Sequence, residues 1–431
     1  MTFTRRDVLI ALSASTGLVR CAGAPLVPAA STAFPLGVAA GDPTSDGAVL
    51  WTRYAGEGAL TALVWADGVQ GEALATQYEV RAGDGGYAQV EVSGLEPGTW
   101  YRYAFVASGQ RDARSPSGRF RTAPAAGTRD VVKLGATCCT QYGNSFEVLG
   151  HAGAREDLDA FLLLGDTVYA DGAHDPDAFR ACWQRSFSTP EYQALRSSTG
   201  VIAVWDDHEF NNDWSGDSIA PDRFSWASGA WFDHMPMRRH PTNPERIWRS
   251  YRFGDTVEVF ALDGRSERIR SQAQYLSEAQ LAWLEEGLRT STATFKVLMN
   301  SVPISSFAVP FFSTTAHDRW ESFPQARARV LEFIDAERIP GVLWLSGDFH
   351  LACAGKVGLE GPGKDAVEVL VGPGAQTPNA APSYPGFPQF EWSSGINNYG
   401  ELTLDPSTGV AKVAWIRGNG RRIFSRSYQL A

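Results

Sequence analysis

A short apolar run leads directly into four polar residues at Val201-Ile202-Ala203-Val204-Trp205-Asp206-Asp207-His208-Glu209. A continuous apolar run without polar alternation is typical of a strand that is covered on both faces of its sheet. In open α/β sheets the chemistry collects just beyond the carboxyl ends of the strands. This stretch therefore predicts a buried strand that delivers carboxylates and an imidazole to one edge of a sheet.

The same pattern recurs along the chain from residue 131 onward. A helix is predicted between two of the apolar runs, where Ser277 and Gln280 form a capping-box pair before leucines at helical spacing. We expect an α/β domain over residues 131–431, built as a β-sandwich of two sheets flanked by helices. Its strands are predicted at residues 131–136, 161–165, 201–205, 256–262, 295–299, 341–346 and 366–371, with closing strands at 401–404 and 411–416.

Polar side chains follow six of these strands. An aspartate after one strand is usually a turn or a helix cap, but six such endings in register indicate a shared site. Carboxylate, amide and imidazole groups suit hard or borderline cations, while a tyrosine and a cysteine thiolate favour a trivalent ion such as Fe³⁺. The side chains are Cys138 and Cys139, Asp166 and Tyr169, residues 206–209, residues 263–265, Asn300, and Asp348 with His350.

A pair of cations suits these endings, because one carboxylate with ligands on both sides can be shared by two ions. Two ions about 3.5–4 Å apart can hold both the attacking and the departing oxygen of an in-line displacement at phosphorus. The donor types at the strand ends therefore favour a hydrolytic site that acts on phosphate esters.

The residues before 131 have a different pattern. Short alternating runs, such as residues 100–105, are separated by Gly and Asp clusters, which predicts a small all-β sandwich over residues 34–122. Residues 94–101 resemble a corner found in fibronectin type III modules. We interpret residues 123–127 as a linker, so the chain is expected to have two domains after its first 30 residues.

Residues 1–30 have the pattern of an export signal. Arg5 and Arg6 precede an apolar run over residues 8–19, which is too short to span a bilayer. Paired arginines before such a run are typical of a twin-arginine signal, and a buried N-terminal helix is the alternative. We expect export by the twin-arginine machinery, a periplasmic or secreted location, and no transmembrane segment in the mature chain. Cleavage after Ala24 or nearer Ala30 stays open.

Composition and charge exclude two classes of protein. Of the 431 residues 44% are hydrophobic, which supplies a sizeable core and excludes general disorder. The chain has 38 Lys and Arg residues against 48 Asp and Glu residues, a formal net charge of −10. Because an acidic chain does not attract nucleic acid through its overall charge, no stable nucleic-acid complex is expected.

The strand endings together resemble a known family. Gly165-Asp166-x-x-Tyr169, Trp205-Asp206-Asp207-His208-Glu209 and Ser346-Gly347-Asp348-x-His350 are similar to the catalytic motifs of metallophosphoesterases. With the N-terminal run Gly37-Val38-Ala39-Ala40-Gly41-Asp42-Pro43, the chain resembles the PhoD family of alkaline phosphatases over nearly its full mature length. The resemblance implies a metallophosphoesterase-type sandwich that hydrolyses phosphate esters.

Carried over residue by residue, the resemblance implies two kinds of metal site. A ferric ion would be held by Cys138, Asp166, Tyr169 and His350. Calcium would be held by Asp207, Asn300 and Asp348, with Asp166 shared between the two sites. The number of calcium ions stays open. An iron-tyrosinate colour is also implied.

Two adjacent cysteines stand where the family pattern has one. Because side chains of a strand alternate between its faces, only one of the two points easily to a metal. We expect Cys138 to be the ligand, since its offset from the strand matches the family better. Cys139 is then a small buried hydrophobic residue.

The implied reaction is attack of a metal-bound hydroxide on phosphorus, in line with the leaving alcohol. His208 would lie beside the phosphoryl group without binding metal and could protonate the leaving oxygen. A supporting histidine positioned by Asp206 is the alternative.

Two arginines after the strand at 256–262 are expected to bind the substrate. Arg265 and Arg268 are suitable because a guanidinium forks onto phosphate oxygens, and Arg265 would also stabilise the transition state. A structural ion pair with Asp263 or Glu267 is the alternative.

The motifs leave the substrate open between a small phosphomonoester and a phosphodiester. A nuclease or a phospholipase D-type phosphodiesterase is an alternative, and a nuclease would need a basic groove that only residues 226–249 could supply. A noncatalytic envelope-binding protein is the third hypothesis, and it predicts that some of the metal ligands are missing from the sequence.

Overall fold

A computed structural model describes residues 31–68, 75–108, 110–307, 318–379 and 387–431. The predicted export signal, residues 1–30, lies outside these ranges. The strands are β1 Val38–Thr44, β2 Gly47–Arg53, β3 Ala59–Ala66, β4 Thr76–Arg81, β5 Tyr87–Val92, β6 Trp100–Ala107, β7 Gln110–Arg114, β8 Gly118–Arg121, β9 Val132–Thr137, β10 Ala160–Leu164, β11 Gly200–Val204, β12 Arg249–Phe253, β13 Val257–Ala261, β14 Phe295–Asn300, β15 Val342–Ser346, β16 Ala352–Lys356, β17 Val367–Leu370, β18 Phe390–Ser394, β19 Tyr399–Asp405, β20 Val410–Ile416 and β21 Arg422–Gln429. The helices are α1 Glu147–Gly153, α2 Pro176–Phe187, α3 Pro190–Ser198, α4 Pro221–His234, α5 Glu278–Thr290 and α6 Pro324–Ala336.

Two large sheets form the main body. One has nine strands in the order β21-β20-β19-β9-β10-β11-β1-β2-β5, and the other has seven in the order β12-β13-β14-β15-β17-β16-β18. In each sheet the central strands are parallel, because β9, β10 and β11 run together, as do β13, β14, β15 and β17. These are the apolar runs of the sequence, and each of the strands predicted from residue 131 onward is confirmed.

The core lies between the two large sheets. Its buried side chains come from both, for example Leu134 and Leu163 from the nine-stranded sheet and Val259, Met299 and Leu345 from the seven-stranded sheet. A second apolar cluster joins α5 and α6 to the outer face of the seven-stranded sheet. The predicted sandwich flanked by helices is confirmed, and the parallel strands of both sheets bring their carboxyl ends to one edge.

Helix α5 begins as its capping residues predict, with one difference. The hydroxyl oxygen of Ser277 accepts a hydrogen bond from the amide of Gln280 at 3.1 Å. The Gln280 side chain does not return to Ser277 but accepts from the amide of Asp263 at 2.9 Å. The helix start therefore also fixes the turn after β13, which lies next to the site. Within the described ranges no helix has the length and apolar character that crossing a membrane requires.

The described residues before 123 form β-strands, as predicted, but these strands are divided between two sheets. Strands β3, β4, β6, β7 and β8 form a small sheet of their own, whereas β1, β2 and β5 extend the nine-stranded sheet. Strand β1 pairs in parallel with β11, with Ala40 opposite Gly200. Trp51 of β2 is buried in the main core, and its indole N–H donates to the carbonyl of Asp233 at 2.7 Å. The two predicted domains therefore share one continuous sheet.

This shared sheet predicts that the α/β segment after residue 123 does not fold alone. A fragment of residues 123–431 would expose the edge of β11 and lose the packing of Trp51. We expect it to be insoluble or to unfold without a sharp thermal transition, whereas residues 31–431 unfold cooperatively. Circular dichroism melting of both proteins tests this, and a cooperative transition in the fragment would contradict it.

Candidate metal centre

The predicted side chains meet because neighbouring strands end at the same level. The register pairs Leu163 with Thr137 and Leu164 with Val204, so β9, β10 and β11 end together. In the facing sheet Asn300 pairs with Ser346 at the ends of β14 and β15. Residues after these ends are thereby delivered to one edge of the sandwich from both sheets.

Four residues at this edge have left-handed backbone conformations. The φ angles are 53° at Cys139, 52° at Asp166, 60° at Asp348 and 48° at His350. Such a conformation in a residue other than glycine costs on the order of 1 kcal/mol and is concentrated at functional sites. Each of these residues follows a strand, and the sharp turn aims its side chain across the edge instead of along the strand.

Glycines in two of the motifs permit the close approach of these turns. A Cβ on Gly165 would lie 2.5 Å from Cβ of Asp206, at the end of the neighbouring strand. A Cβ on Gly347 would lie 2.8 Å from Cβ of Cys138. Both contacts are shorter than real Cβ contacts allow, so these glycines are required for the strand ends to come together.

Asp166 lies at the centre of the cluster. Its Oδ2 accepts from the hydroxyl of Tyr169 at 3.3 Å and from Sγ of Cys139 at 3.5 Å. Tyr169 in turn lies 3.4 Å from Nε2 of His350. Donor atoms of Asp166 also lie within 4.8 Å of those of two other groups, Asp207 with His208, and Asp206 with Asp348. Asp166 is therefore placed to be shared by two cations.

The grouping of side chains in the structure favours the other of the two cysteines. Cys139, not Cys138, groups with Asp166 and His350. Cys138 turns into the core beneath the cluster, where its Sγ lies 3.2 Å from the carbonyl oxygen of Val371. Only one of the two cysteines joins the group, as alternation predicts, and the left-handed turn at Cys139, beyond the end of β9 at Thr137, directs that side chain toward the edge. Burial raises the pKa of the Cys139 thiol, and an adjacent cation would favour its thiolate instead.

The cluster has more acceptors than donors. Burial, together with the neighbouring carboxylates, raises the pKa of Asp166 and of Asp348 well above the usual range. Oδ1 of Asp207 and Oδ1 of Asn300 are buried and have no hydrogen-bond donor among the described residues. A buried acceptor without a donor costs about 1–3 kcal/mol, which a cation would offset.

These donors fit the metals that the resemblance implies. The side with Cys139, Tyr169 and His350 offers sulfur, phenol oxygen and imidazole, which suit a transition metal. The ligands expected for calcium, Asp207, Asn300 and Asp348, offer oxygen atoms, which suit a hard divalent cation.

The predicted substrate contacts of Arg265 and Arg268 are wrong in this structure. Both side chains are fully buried and directed at carboxylates. Nε of Arg265 donates to Asp206 at 2.6 Å, and its two terminal nitrogens hold both oxygens of Asp318. Arg268 donates to Asp318 at 3.0 Å and to the hydroxyl of Tyr275 at 3.2 Å. The alternative of a structural ion pair is right, although its partners are Asp206 and Asp318.

His208 is positioned by Asp171, not by Asp206. Nδ1 of His208 lies 2.8 Å from Oδ2 of Asp171, and the imidazole stacks on the ring of Tyr169 at 4.2 Å. Asp171 is itself fixed by the backbone amide of Asn212 at 2.7 Å. Burial alone would lower the pKa of His208, but the hydrogen bond to Asp171 and the charge of Asp207 raise it to about 9. The imidazole therefore holds a proton at neutral pH.

Glu209 has a supporting role that sequence reasoning missed. Its carboxylate is fully buried and accepts from the amides of Thr167 at 2.6 Å, Asp206 at 2.9 Å and Asp166 at 3.2 Å. It thus ties the turn after β10 to the turn after β11. Its place directly after His208 in the motif is the signal that could have indicated this role.

A cleft of about 260 Å³ opens onto the cluster. Its volume is below the range of about 300–1,000 Å³ that is typical for drug-sized ligands, so it suits a small head group. The described residues that line it are Asp207, His208, Asn212, Asp213, Asp318, Arg319, Asp348, Phe349, His350 and Asn379.

Comparison with family models identifies both parts of the chain. Residues 134–385 match the family described as PhoD-like phosphatase. Residues 20–124 match the description "PhoD-like phosphatase, N-terminal domain". The first match covers more than half of the chain and includes the clustered side chains described above.

Individual relatives agree with the family models. Alkaline phosphatase D of Bacillus subtilis (strain 168) is 26% identical over 389 residues, which cover 74% of this chain and 65% of that protein. A solved structure of PhoD has a TM-score of 0.78 at 22% identity and covers 93% of this chain and 94% of its own. Purple acid phosphatase PPD1 from yellow lupin (Lupinus luteus) seeds has a TM-score of 0.68 at 15% identity, with coverages of 91% and 73%. These two structures share the fold of this chain.

The cysteine geometry predicts different metal losses in two matched variants. Cys139→Ser should lower the iron bound per chain at least about tenfold, because it removes a thiolate from the cluster. Cys138→Ser should retain the iron, because its side chain faces Val371. Elemental analysis of both purified proteins measures this, and iron loss in Cys138→Ser alone would reverse the assignment.

Proposed function

Because the chain belongs to the PhoD-like phosphatase family, we propose that it hydrolyses phosphate esters at a two-cation centre around Asp166. One observation carries the proposal. Side chains from several strand ends of both sheets form groups whose ligand atoms lie within 4.8 Å of one another, and three of these groups share Asp166. A matched pair of cations is the arrangement that in-line displacement at phosphorus needs.

The proposed metals are Fe³⁺ and Ca²⁺. Fe³⁺ is assigned to Cys139, Asp166, Tyr169 and His350, and calcium to Asp207, Asn300 and Asp348, with Asp166 shared. The contacts of Asp166 with Tyr169 and Cys139 support the first set, and the unpaired oxygens of Asp207 and Asn300 support the second. When bound, these ions would activate water and offset the charge of the phosphoryl oxygens.

We assign protonation of the leaving group to a side chain of the protein. His208 lines the cleft with Nδ1 engaged by Asp171, which leaves Nε2 as the nitrogen that faces a substrate. From there it donates its proton to the departing alkoxide oxygen. Asp171 fixes the ring orientation and stabilises the imidazolium.

Arg265 contributes indirectly. It offsets the buried charges of Asp206 and Asp318, and it lies 3.8 Å from Oδ1 of Asp207, whose other oxygen accepts from the amide of Asp213. Burial would raise the pKa of Asp207, but Arg265 and His208 lower it to about 2. Asp207 is thereby kept as a carboxylate, the form that binds a cation.

The substrate is proposed to be a small phosphomonoester or phosphodiester. Within the described ranges, none of the residues that line the cleft comes from residues 226–249, the segment that a nuclease groove would require. A noncatalytic protein would lack ligands, and the grouping of Cys139, Asp166 and His350 and of Asp166 with Asp207 and with Asp348 argues against that alternative. We further propose that the protein is exported by the twin-arginine machinery to the periplasm or beyond, on the pattern of Arg5 and Arg6.

A direct assay tests the proposed activity. Purified protein loaded with iron and calcium should hydrolyse p-nitrophenyl phosphate, bis(p-nitrophenyl) phosphate or both, and a chelator should reduce the rate by more than about 100-fold. Asp166→Asn should abolish activity, since the shared ligand is lost. Fully metallated protein that hydrolyses neither ester, or activity that resists metal removal, would reject the proposal.

The role of His208 predicts a dependence on the leaving group. His208→Asn should lower kcat by about 10²–10⁴ for an alkyl phosphate, whose alkoxide needs a proton, and much less for a p-nitrophenyl ester. Asp171→Asn should show the same pattern with smaller losses. His174→Asn, an exposed histidine outside the cleft, is the control. Equal losses on both esters in His208→Asn would argue against proton donation.

A further inference from the structure

We propose that Arg319 binds the phosphoryl oxygens of the substrate, the role that the sequence assigned to Arg265 and Arg268. The inference rests on the proposed function and adds its substrate-binding residue. Arg319 lies directly before a short 3₁₀ turn, Trp320–Ser322, far along the chain from the strand-end motifs. It lines the same cleft as Asp207, His208 and Asp348.

Arg319 has an unused donor at the cleft. Its side chain is only 3% exposed, and its Nε has no hydrogen-bond partner among the described residues. One terminal nitrogen donates to Glu321 at 2.8 Å, so the guanidinium is anchored at one end. A guanidinium is always charged and presents its N–H groups in a planar fork that matches two phosphate oxygens. A largely buried cation that lines the cleft and keeps an unpaired donor is thus complementary to an anionic head group.

Aromatic rings fix this guanidinium relative to the metal ligands. Its central carbon lies 5.2 Å from the ring centre of Phe349, which stands between Asp348 and His350 in the sequence. Phe349 stacks on Phe307 at 4.1 Å, and the Glu321 carboxylate accepts from the amide of Phe307. The arginine is therefore held against the loop that supplies two ligands. A preorganised donor of this kind binds without paying the full cost of ordering a flexible side chain.

Other arginines near the cluster already form hydrogen bonds with groups of the protein. Arg265 and Arg268 are held by Asp318, and Arg270 donates to the carbonyl of Asp213. Of the described residues that line the cleft, Arg319 is the one arginine or lysine. The cleft also presents four carboxylates, those of Asp207, Asp213, Asp318 and Asp348, so this arginine, together with His208, lowers the repulsion of an incoming phosphate.

The charge of the substrate decides how much Arg319 contributes. A phosphomonoester dianion offers two charged oxygens to the fork, whereas a phosphodiester monoanion offers one charge and carries a second ester group. Loss of Arg319 should therefore weaken monoester turnover more than diester turnover.

Three variants of the full, metal-loaded chain test this assignment. Arg319→Ala should lower kcat/KM for p-nitrophenyl phosphate by about 100-fold and for the diester by about tenfold or less. Arg319→Lys keeps the charge but not the fork, so it should lie between Arg319→Ala and wild type. Arg329→Ala removes an arginine from an ion pair on α6 outside the cleft, and should stay within about twofold of wild type.

Inhibition by inorganic phosphate distinguishes phosphate binding by Arg319 from a purely structural role of this residue. Its inhibition constant should rise at least about tenfold in Arg319→Ala, while the metal content and melting temperature of Arg319→Lys stay close to wild type. Guanidinium ion at millimolar concentration should restore part of the Arg319→Ala activity by filling the vacated space.

The outcomes separate this inference from the proposed function. If wild type hydrolyses esters and both Arg319 variants keep wild-type kcat/KM and phosphate inhibition, the inference is overturned. If wild type hydrolyses neither ester, calorimetry with inorganic phosphate decides: weaker binding in Arg319→Lys supports the inference although the proposed function fails, and equal binding overturns both.

Discussion

The crowding of buried carboxylates at one edge of the sandwich governs the rest of this structure. Two like charges 4 Å apart repel by about 4 kcal/mol at the effective dielectric constant of a protein, so several aspartates cannot stay ionised together unaided. The protein resolves part of this charge itself, because Arg265 and Arg268 hold Asp206 and Asp318. Asp166 and Asp348 have no such arginine contact among the described residues, and cations are the natural partners that remain.

Because arginines hold some of the carboxylates and leave others without such a contact, the site has two layers. The arginine layer is fully buried and fixes the turns after β11 and β13 against each other. The outer layer includes Asp207, Asp348 and His350, which line the cleft. Glu209 and Asp171 connect the layers, since Glu209 ties neighbouring turns through three amides and Asp171 orients His208. Chemistry at the edge thus depends on residues that never face a substrate.

Much of the fold and the position of the polar side chains at the strand ends could be predicted from the sequence, because both follow from the strand pattern. A buried parallel strand is a continuous apolar run, and its carboxyl end locates Asp166, Asp207, Asn300 and Asp348 without any distant information. The family motifs then gave these residues their order. The sequence did not predict that β1, β2 and β5 join the nine-stranded sheet instead of the small sheet. The alternating pattern of a strand indicates which of its faces is buried but not which sheet it joins.

The errors have a common physical origin in long-range contacts and in turns. Arg265 was expected to face phosphate because its nearest sequence neighbours did not reveal Asp318, which lies 53 positions away. Cys138 was preferred because its offset from the strand matches the family pattern, and the sequence does not show the left-handed turn at Cys139 that directs the second cysteine toward the cluster. Asp206 was the partner considered for His208 in the alternative of a supporting histidine, whereas Asp171 reaches it from another turn.

Anomalous diffraction from crystals of the metal-loaded protein at the iron absorption edge tests the central claim most directly. The account predicts one strong peak enclosed by Cys139, Asp166, Tyr169 and His350, with a lighter ion on the other side of Asp166 beside Asp207 and Asn300. An edge without ordered cations in crystals of active protein, or iron bound at another place, would contradict it.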